Sequence, residues 1–133
     1  MTAFNPKRGL IIVNARICGP LGEVVARLAL DTGASTTVVR NALLVVIGYS
    51  LDNLPKTVNF TTGSGVEAAA IVKVEKLQAL GLERSDFSVI AHTIPANAAI
   101  DGLLGLDFLR NHILTLDFQN GEITLIQVPT RKS

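Results

Sequence analysis

The sequence predicts an all-β fold, a small barrel or sandwich with one or two short helices. About seven or eight short runs of apolar and β-branched residues follow one another along 133 residues. Gly19-Pro20, Gly63-Ser64-Gly65 and Asn120-Gly121 punctuate them as turns. Helical patterning is confined to two short stretches.

Leu10-Ile11-Ile12-Val13 and Ile17 mark a first strand, and Cys18-Gly19-Pro20-Leu21-Gly22 the turn after it. Glu23 to Leu30 is a second strand, and β-branched Thr36 to Val39 a short third. Over Asn41 to Ile47, Val45-Val46-Ile47 favours strand. Asn41 as an N-cap and Gly48 as a C′ residue favour a short helix, the preferred reading. Thr57 to Thr62 and Val66 to Gln78 form a long hairpin about a glycine-rich tip, and Ser88 to His92 is a further strand. Asp107 to Asn111 has the length of one or two helical turns, with Asp107 as its N-cap. Ile113 to Phe118 places Thr115 and Asp117 on one face. Asn120-Gly121 then predicts a two-residue type I′ turn into Glu122 to Ile126. Residues 1–7 read as a flexible tail, 8–128 as the folded domain and 129–133 as a C-terminal tail.

A chain of this length buries a core of its own as one domain. Its mean hydropathy of +0.42 and 48% hydrophobic residues are high for a small soluble monomer. A tightly packed core, or an apolar surface covered by a second copy, each account for that. A net charge of +1 gives no broad field for nucleic acid or acidic lipid. The single Cys18 excludes an internal disulfide and suits a reducing, cytoplasmic compartment; it reads as a turn or core residue, not a nucleophile. No apolar run reaches the roughly 18 residues of a membrane span, and no basic-then-apolar leader is present.

Chemistry concentrates at Asp31-Thr32-Gly33-Ala34. The apolar run Val24 to Leu30 ends on this carboxylate, which is costly to bury without partners. A perturbed, functional carboxyl is therefore the natural hypothesis, set against an ordinary Asp-Thr-Gly turn. A lone carboxylate is a weak base. Two held about 3 Å apart share one proton, so that one acts as base toward a water while the other protonates a carbonyl oxygen. The Thr32 hydroxyl suits bracing such a pair, and Gly33 permits close backbone approach with its N–H free for the carboxylate.

A second element, Ile100-Asp101-Gly102-Leu103-Leu104-Gly105-Leu106-Asp107-Phe108-Leu109-Arg110-Asn111-His112, joins an apolar strand, a glycine and a helical turn. Together with Asp31-Thr32-Gly33-Ala34 it resembles the retropepsin-like aspartic proteases. Gly105 to Arg110 is similar to the cellular and bacterial branch, which includes the protease domain of the DNA-damage-inducible ubiquitin-shuttle proteins. The resemblance spans roughly residues 8 to 128.

The resemblance implies a small closed acid-protease barrel in which Leu103-Leu104-Gly105 braces the catalytic loop. Thr62-Gly63-Ser64-Gly65 would be the flap. One loop in a short chain implies a homodimer, each subunit supplying one Asp31 to a site beneath two flaps. Thr32, Gly33 and Ala34 would support the site, and by analogy Ala29, Ala34, Val38 and Ile94 would wall a peptide cleft. No cofactor is implied. Viral members pair an Asp after the first motif with an Arg after the second glycine. Here Ser35 and Leu106 stand at those positions, so both halves are missing and no charge is orphaned.

Other groups read more plainly. Asp101 suits a turn or cap before Gly102, and Asp117 a solvated strand position. His92 and His112 lack metal-ligand company, no lysine follows Gly63-Ser64-Gly65 as a phosphate loop needs, and no nucleic-acid signature emerges. Two functions stay open: a homodimeric aspartic endopeptidase, or a module that keeps the fold and binds peptide or partner without efficient chemistry.

Overall fold

The computed structural model describes residues 1–52, 57–62, 65–95 and 97–128. Its strands are β1 (Thr2–Ala3), β2 (Ile12–Gly19), β3 (Gly22–Leu30), β4 (Val38–Arg40), β5 (Thr57–Thr62), β6 (Gly65–Ala79), β7 (Leu82–His92), β8 (Gly102–Leu104), β9 (His112–Asp117) and β10 (Glu122–Gln127). Two short helices, α1 (Asn41–Val46) and α2 (Leu106–Leu109), complete it. The all-β expectation holds.

Six strands close on themselves in the order β2-β3-β8-β4-β7-β6, and β6 returns to β2. Closure removes the sheet edges that would otherwise template pairing with other chains. The first part of β6 pairs outward with β5, so that hairpin extends from the barrel. A second sheet, β1-β10-β9, packs on the rest through Ile123, Leu114, Leu116 and Leu125.

The barrel interior follows the strand period of two. Val13, Ala15 and Ile17 from β2 and Ala26 and Leu28 from β3 point inward. Val39, Val72, Val74, Leu77, Val89 and Leu104 meet them from the other strands. Phe108 of α2 is fully buried and edge-on to Phe87 of β7 with ring centroids 5.9 Å apart, a favoured arrangement for aromatic pairs. The Tyr49 hydroxyl donates to the Cys18 carbonyl (2.9 Å) and accepts the Glu75 N–H (2.8 Å), stitching β2 to β6 where the barrel closes.

Several local expectations need correction. The segment read as a tail contributes β1, paired Thr2↔Ile123 and Ala3↔Glu122, with Phe4 edge-on to Phe118 at 5.5 Å. Asn120-Gly121 does not make a two-residue hairpin. Asp117 pairs with Glu122 across a four-residue loop, and among its residues only Gly121 has positive φ (69°). The Asp117 carboxylate holds that loop by accepting Gln119 N–H, Asn120 N–H and the Asn120 side-chain amide. Two adjacent residues at positive φ, as a type I′ turn needs, occur instead at Leu80 (55°) and Gly81 (77°), between β6 and β7. The residue before α1 is Arg40 rather than Asn41, whose side-chain amide donates to Thr93 Oγ1 at 3.1 Å. β7 begins at Leu82, six residues earlier than expected. Residues 129–133 lie outside the described residues.

Candidate active site

β3 and β4 are joined by the loop that carries Asp31. β8 threads between them, parallel to β3 and antiparallel to β4. This crossing places residues 70 positions apart in one hydrogen-bonded unit. Asp31 N–H donates to the Leu104 carbonyl (2.9 Å) and Leu106 N–H to the Ala34 carbonyl (2.8 Å). Gly105 N–H donates to Thr37 Oγ1 at 3.1 Å. Within the loop, Gly33 N–H donates to Asp31 Oδ1 at 2.8 Å. The crossing also demands small residues. A Cβ on Gly105 would lie 2.8 Å from the Ala34 carbonyl oxygen and 2.9 Å from the Thr36 carbonyl carbon. One on Gly102 would collide with the Val38 carbonyl.

α2 is anchored at both ends. Asp107, its second residue, accepts the backbone N–H and hydroxyl of fully buried Thr37. Arg84 of β7 donates to the Phe108 carbonyl (2.9 Å) and the Arg110 carbonyl (3.0 Å), and its guanidinium lies over the Phe108 ring.

Register then defines a face. Ile12, Ala29, Leu103, Val38, Ile90 and Ile71 are successive lateral partners across the six barrel strands. They point opposite to Val13, Leu28 and Val39, which fill the interior. Ala29 and Ile90 are buried yet stand outside the main core cluster, as an outer band requires. Strand alternation carried one residue past β3 puts Asp31 on this same outer face, beside Ala29. Two residues in the other direction, the face turns polar: Arg27, Asp101, Arg40 and His92. One carboxyl thus heads an apolar band that ends in a charged row.

A family model of aspartyl proteases matches residues 13–108, from β2 into α2. The chain belongs to the aspartyl protease family. The matched span includes Asp31-Thr32-Gly33-Ala34 and Leu103-Leu104-Gly105. The fold is similar to the crystal structure of a retropepsin-like aspartic protease from Rickettsia conorii, with a TM-score of 0.67 and 22% identity over 93% of this chain and 86% of that one. No curated protein matches the chain.

Asp31, Gly33, Ala34, Leu104 and Gly105 meet at the crossing. Thr32 is exposed and borders a cavity of about 430 Å³ lined also by Leu106, Leu109, Arg110, His112 and Leu114. Ala29, Val38 and Leu103 share the apolar band. Ile94 lies beyond the end of β7, past the charged row, and its carbonyl accepts from Arg40. Thr62 and Gly65 pair at the outer end of the β5–β6 hairpin; Gly63 and Ser64 lie outside the described residues.

Asp101 is more than a turn residue: its Oδ2 accepts Arg27 N–H and its Oδ1 faces Arg40. Asp107 caps nothing from outside the helix, since Gly105 precedes α2. Thr37, Ile90, Arg40 and Arg84 were missed by sequence reading. For Ile90 the signal existed, because it lies at the same alternation as Val38 on a paired strand. Cys18 lies at the far end of β2 from Ile12, where burial first and then the neighbouring Glu23 carboxylate push its thiol pKa up. Among the described residues no three His, Cys, Asp or Glu side chains gather as a metal site, and no helix is long and apolar enough to cross a membrane.

Proposed function

We propose that the protein is a homodimeric aspartic endopeptidase, with Asp31 of each subunit as the catalytic pair. The observation that carries this is the position of Asp31: it heads the apolar band, with Oδ1 held by Gly33 N–H and the loop bonded from behind by Leu104, Gly105 and Leu106. A carboxyl so held is preorganised toward one face. Opposed to its symmetry mate, the two carboxyls share one proton, because two like charges so close cannot both ionise. The ionised member removes a proton from water as that water attacks the peptide carbonyl. The protonated member donates to the carbonyl oxygen, and no covalent enzyme intermediate forms.

An extended peptide would run along half-buried Leu103 and Val38, with buried Ala29 and Ile90 beside them, and this apolar band suits apolar residues beside the scissile bond. The β5–β6 hairpin, ending at Thr62 and Gly65, would cover it as a flap. The two-fold axis is assigned beside Thr32, where the cavity with Leu106, Leu109 and Leu114 opens and the exposed cross-strand pair Ile113–Ile126 lies on the neighbouring sheet. Burying those side chains supplies the apolar area that a second copy would cover. The single cysteine fits a cytoplasmic location.

The test is Asp31→Asn, measured with a fluorogenic peptide library between about pH 4 and 7 and by sedimentation. The expected result is loss of cleavage with the dimer mass unchanged. Retained cleavage in that variant would refute the mechanism, and a folded wild-type dimer with no cleavage would favour a binding module.

A further inference from the structure

We infer that Arg40 is a positioning residue that holds the outer wall of the peptide cleft and thereby selects the substrate side chain met there; this rests on the protease reading above. Arg40 ends β4, two residues beyond Val38 on the same outer face. Its side chain is only 12% exposed. A guanidinium at that depth is costly without partners. It has them on both ends of the connection between β7 and β8. One terminal nitrogen donates to the carbonyls of Ile94 (2.8 Å) and Pro95 (2.9 Å), and the other to the carbonyl of Ile100 (2.8 Å). Its Nε makes no aligned hydrogen bond but lies 3.3 Å from Asp101 Oδ1, an ion-pair contact.

One planar fork therefore closes the connection like a clasp. Asp101 adds a second fastening, since its other oxygen accepts Arg27 N–H (2.8 Å) and its own N–H donates to the Arg27 carbonyl (2.7 Å). The clasp stands one alternation, about 7 Å, beyond the Leu103–Val38 row. A peptide whose scissile bond sits at Asp31 would bring a flanking side chain against this wall. Lysine cannot replace the arginine, because a single ammonium lacks the fixed geometry that reaches three carbonyls and a carboxylate together.

The experiment compares wild type with Arg40→Met, Arg40→Lys and the milder Asp101→Asn, using peptides that carry Ala, Leu or Phe at each position flanking the cleaved bond. Hydrogen exchange of the amides from Ala98 to Asp101 is followed in parallel. Arg40→Met should speed that exchange about tenfold or more while leaving β3 and α2 protected. It should change the preference between large and small side chains at one flanking position by about tenfold, mainly through KM, with kcat within about twofold. Arg40→Lys should not restore the preference, and Asp101→Asn should shift it less in the same direction. Unchanged exchange, or an equal loss on every peptide, would overturn the inference, as would failure of all three variants to fold. An inactive wild type would instead overturn the protease reading and the selectivity with it, while the exchange measurement still decides whether Arg40 is the clasp.

Discussion

Thr37 gives Asp107 both of its donors, although 70 residues separate them: the backbone N–H reaches both carboxylate oxygens at 3.0 Å, and the hydroxyl reaches Oδ1 at 2.7 Å. The same hydroxyl oxygen accepts Gly105 N–H. One buried threonine thus ties the loop after Asp31 to Gly105, just past the crossing strand, and to α2. Thr37→Val should cost about 2–3 kcal/mol, because it strands the buried Gly105 N–H and removes a donor from a charged acceptor. Asp107→Asn, which keeps one carbonyl acceptor, should cost about 1 kcal/mol. Urea unfolding measures both. A Thr37→Val penalty within about 0.5 kcal/mol would show that the tie does not brace the loop.

Gly105→Ala probes the closeness of the crossing. The added methyl meets only backbone, at Ala34 and Thr36, so the loop itself must shift. A stability loss of about 1–3 kcal/mol is expected. Cleavage should fall further than stability explains, by about a hundredfold, because the Asp31 loop is what moves. Parallel thermal melts and kcat/KM measurements separate the two, and near-wild-type turnover would contradict the bracing role.

Asp117 supplies a pH prediction. Its pKa is lowered, first by the Asn120 backbone N–H, then by the Asn120 side-chain amide, with a smaller part from Gln119 N–H. A folded pKa below the unfolded one means that this contribution is present above the ordinary carboxylate range and is lost as pH falls through it. Carboxyl NMR should place the Asp117 midpoint below the usual 3.8. Asp117→Asn should lessen the stability lost between about pH 5 and about pH 3. A midpoint at or above the usual value would contradict the turn geometry.

Cys18 should react slowly. Burial, then the charge of Glu23 and its contact with the thiol (Sγ to Oε2, 3.7 Å), disfavour the thiolate. Alkylation by iodoacetamide near neutral pH should be slower than for free cysteine, and Glu23→Gln should speed it. Wild-type reaction as fast as free cysteine would show that the site does not suppress ionisation.

The parts of the site legible in the sequence were local ones. Asp31-Thr32-Gly33-Ala34 and Leu103-Leu104-Gly105 each announce themselves within a few residues, and the apolar runs announce the barrel. What stayed hidden depends on the β8 crossing. Asp107 and Asp101 look like capping and turn residues because the groups they serve, Thr37 and Arg40, lie 70 and 61 positions away in the chain. The first half of β7 was missed because Glu83, Arg84, Ser85 and Asp86 lack apolar alternation; its pairing with β6 overrides that composition. The Asn120-Gly121 hairpin failed because Asp117 captures three donors and favours a longer loop.

The central claim is that one active site takes Asp31 from two chains, and subunit mixing tests it most directly. Wild type is mixed with Asp31→Asn at fixed total protein, under conditions where subunits exchange, and cleavage is measured against the wild-type fraction. If two carboxyls are needed, activity follows the square of that fraction, so an equal mixture retains about one quarter of the rate. A linear dependence, with about one half retained, would mean that each chain works alone and would contradict the account.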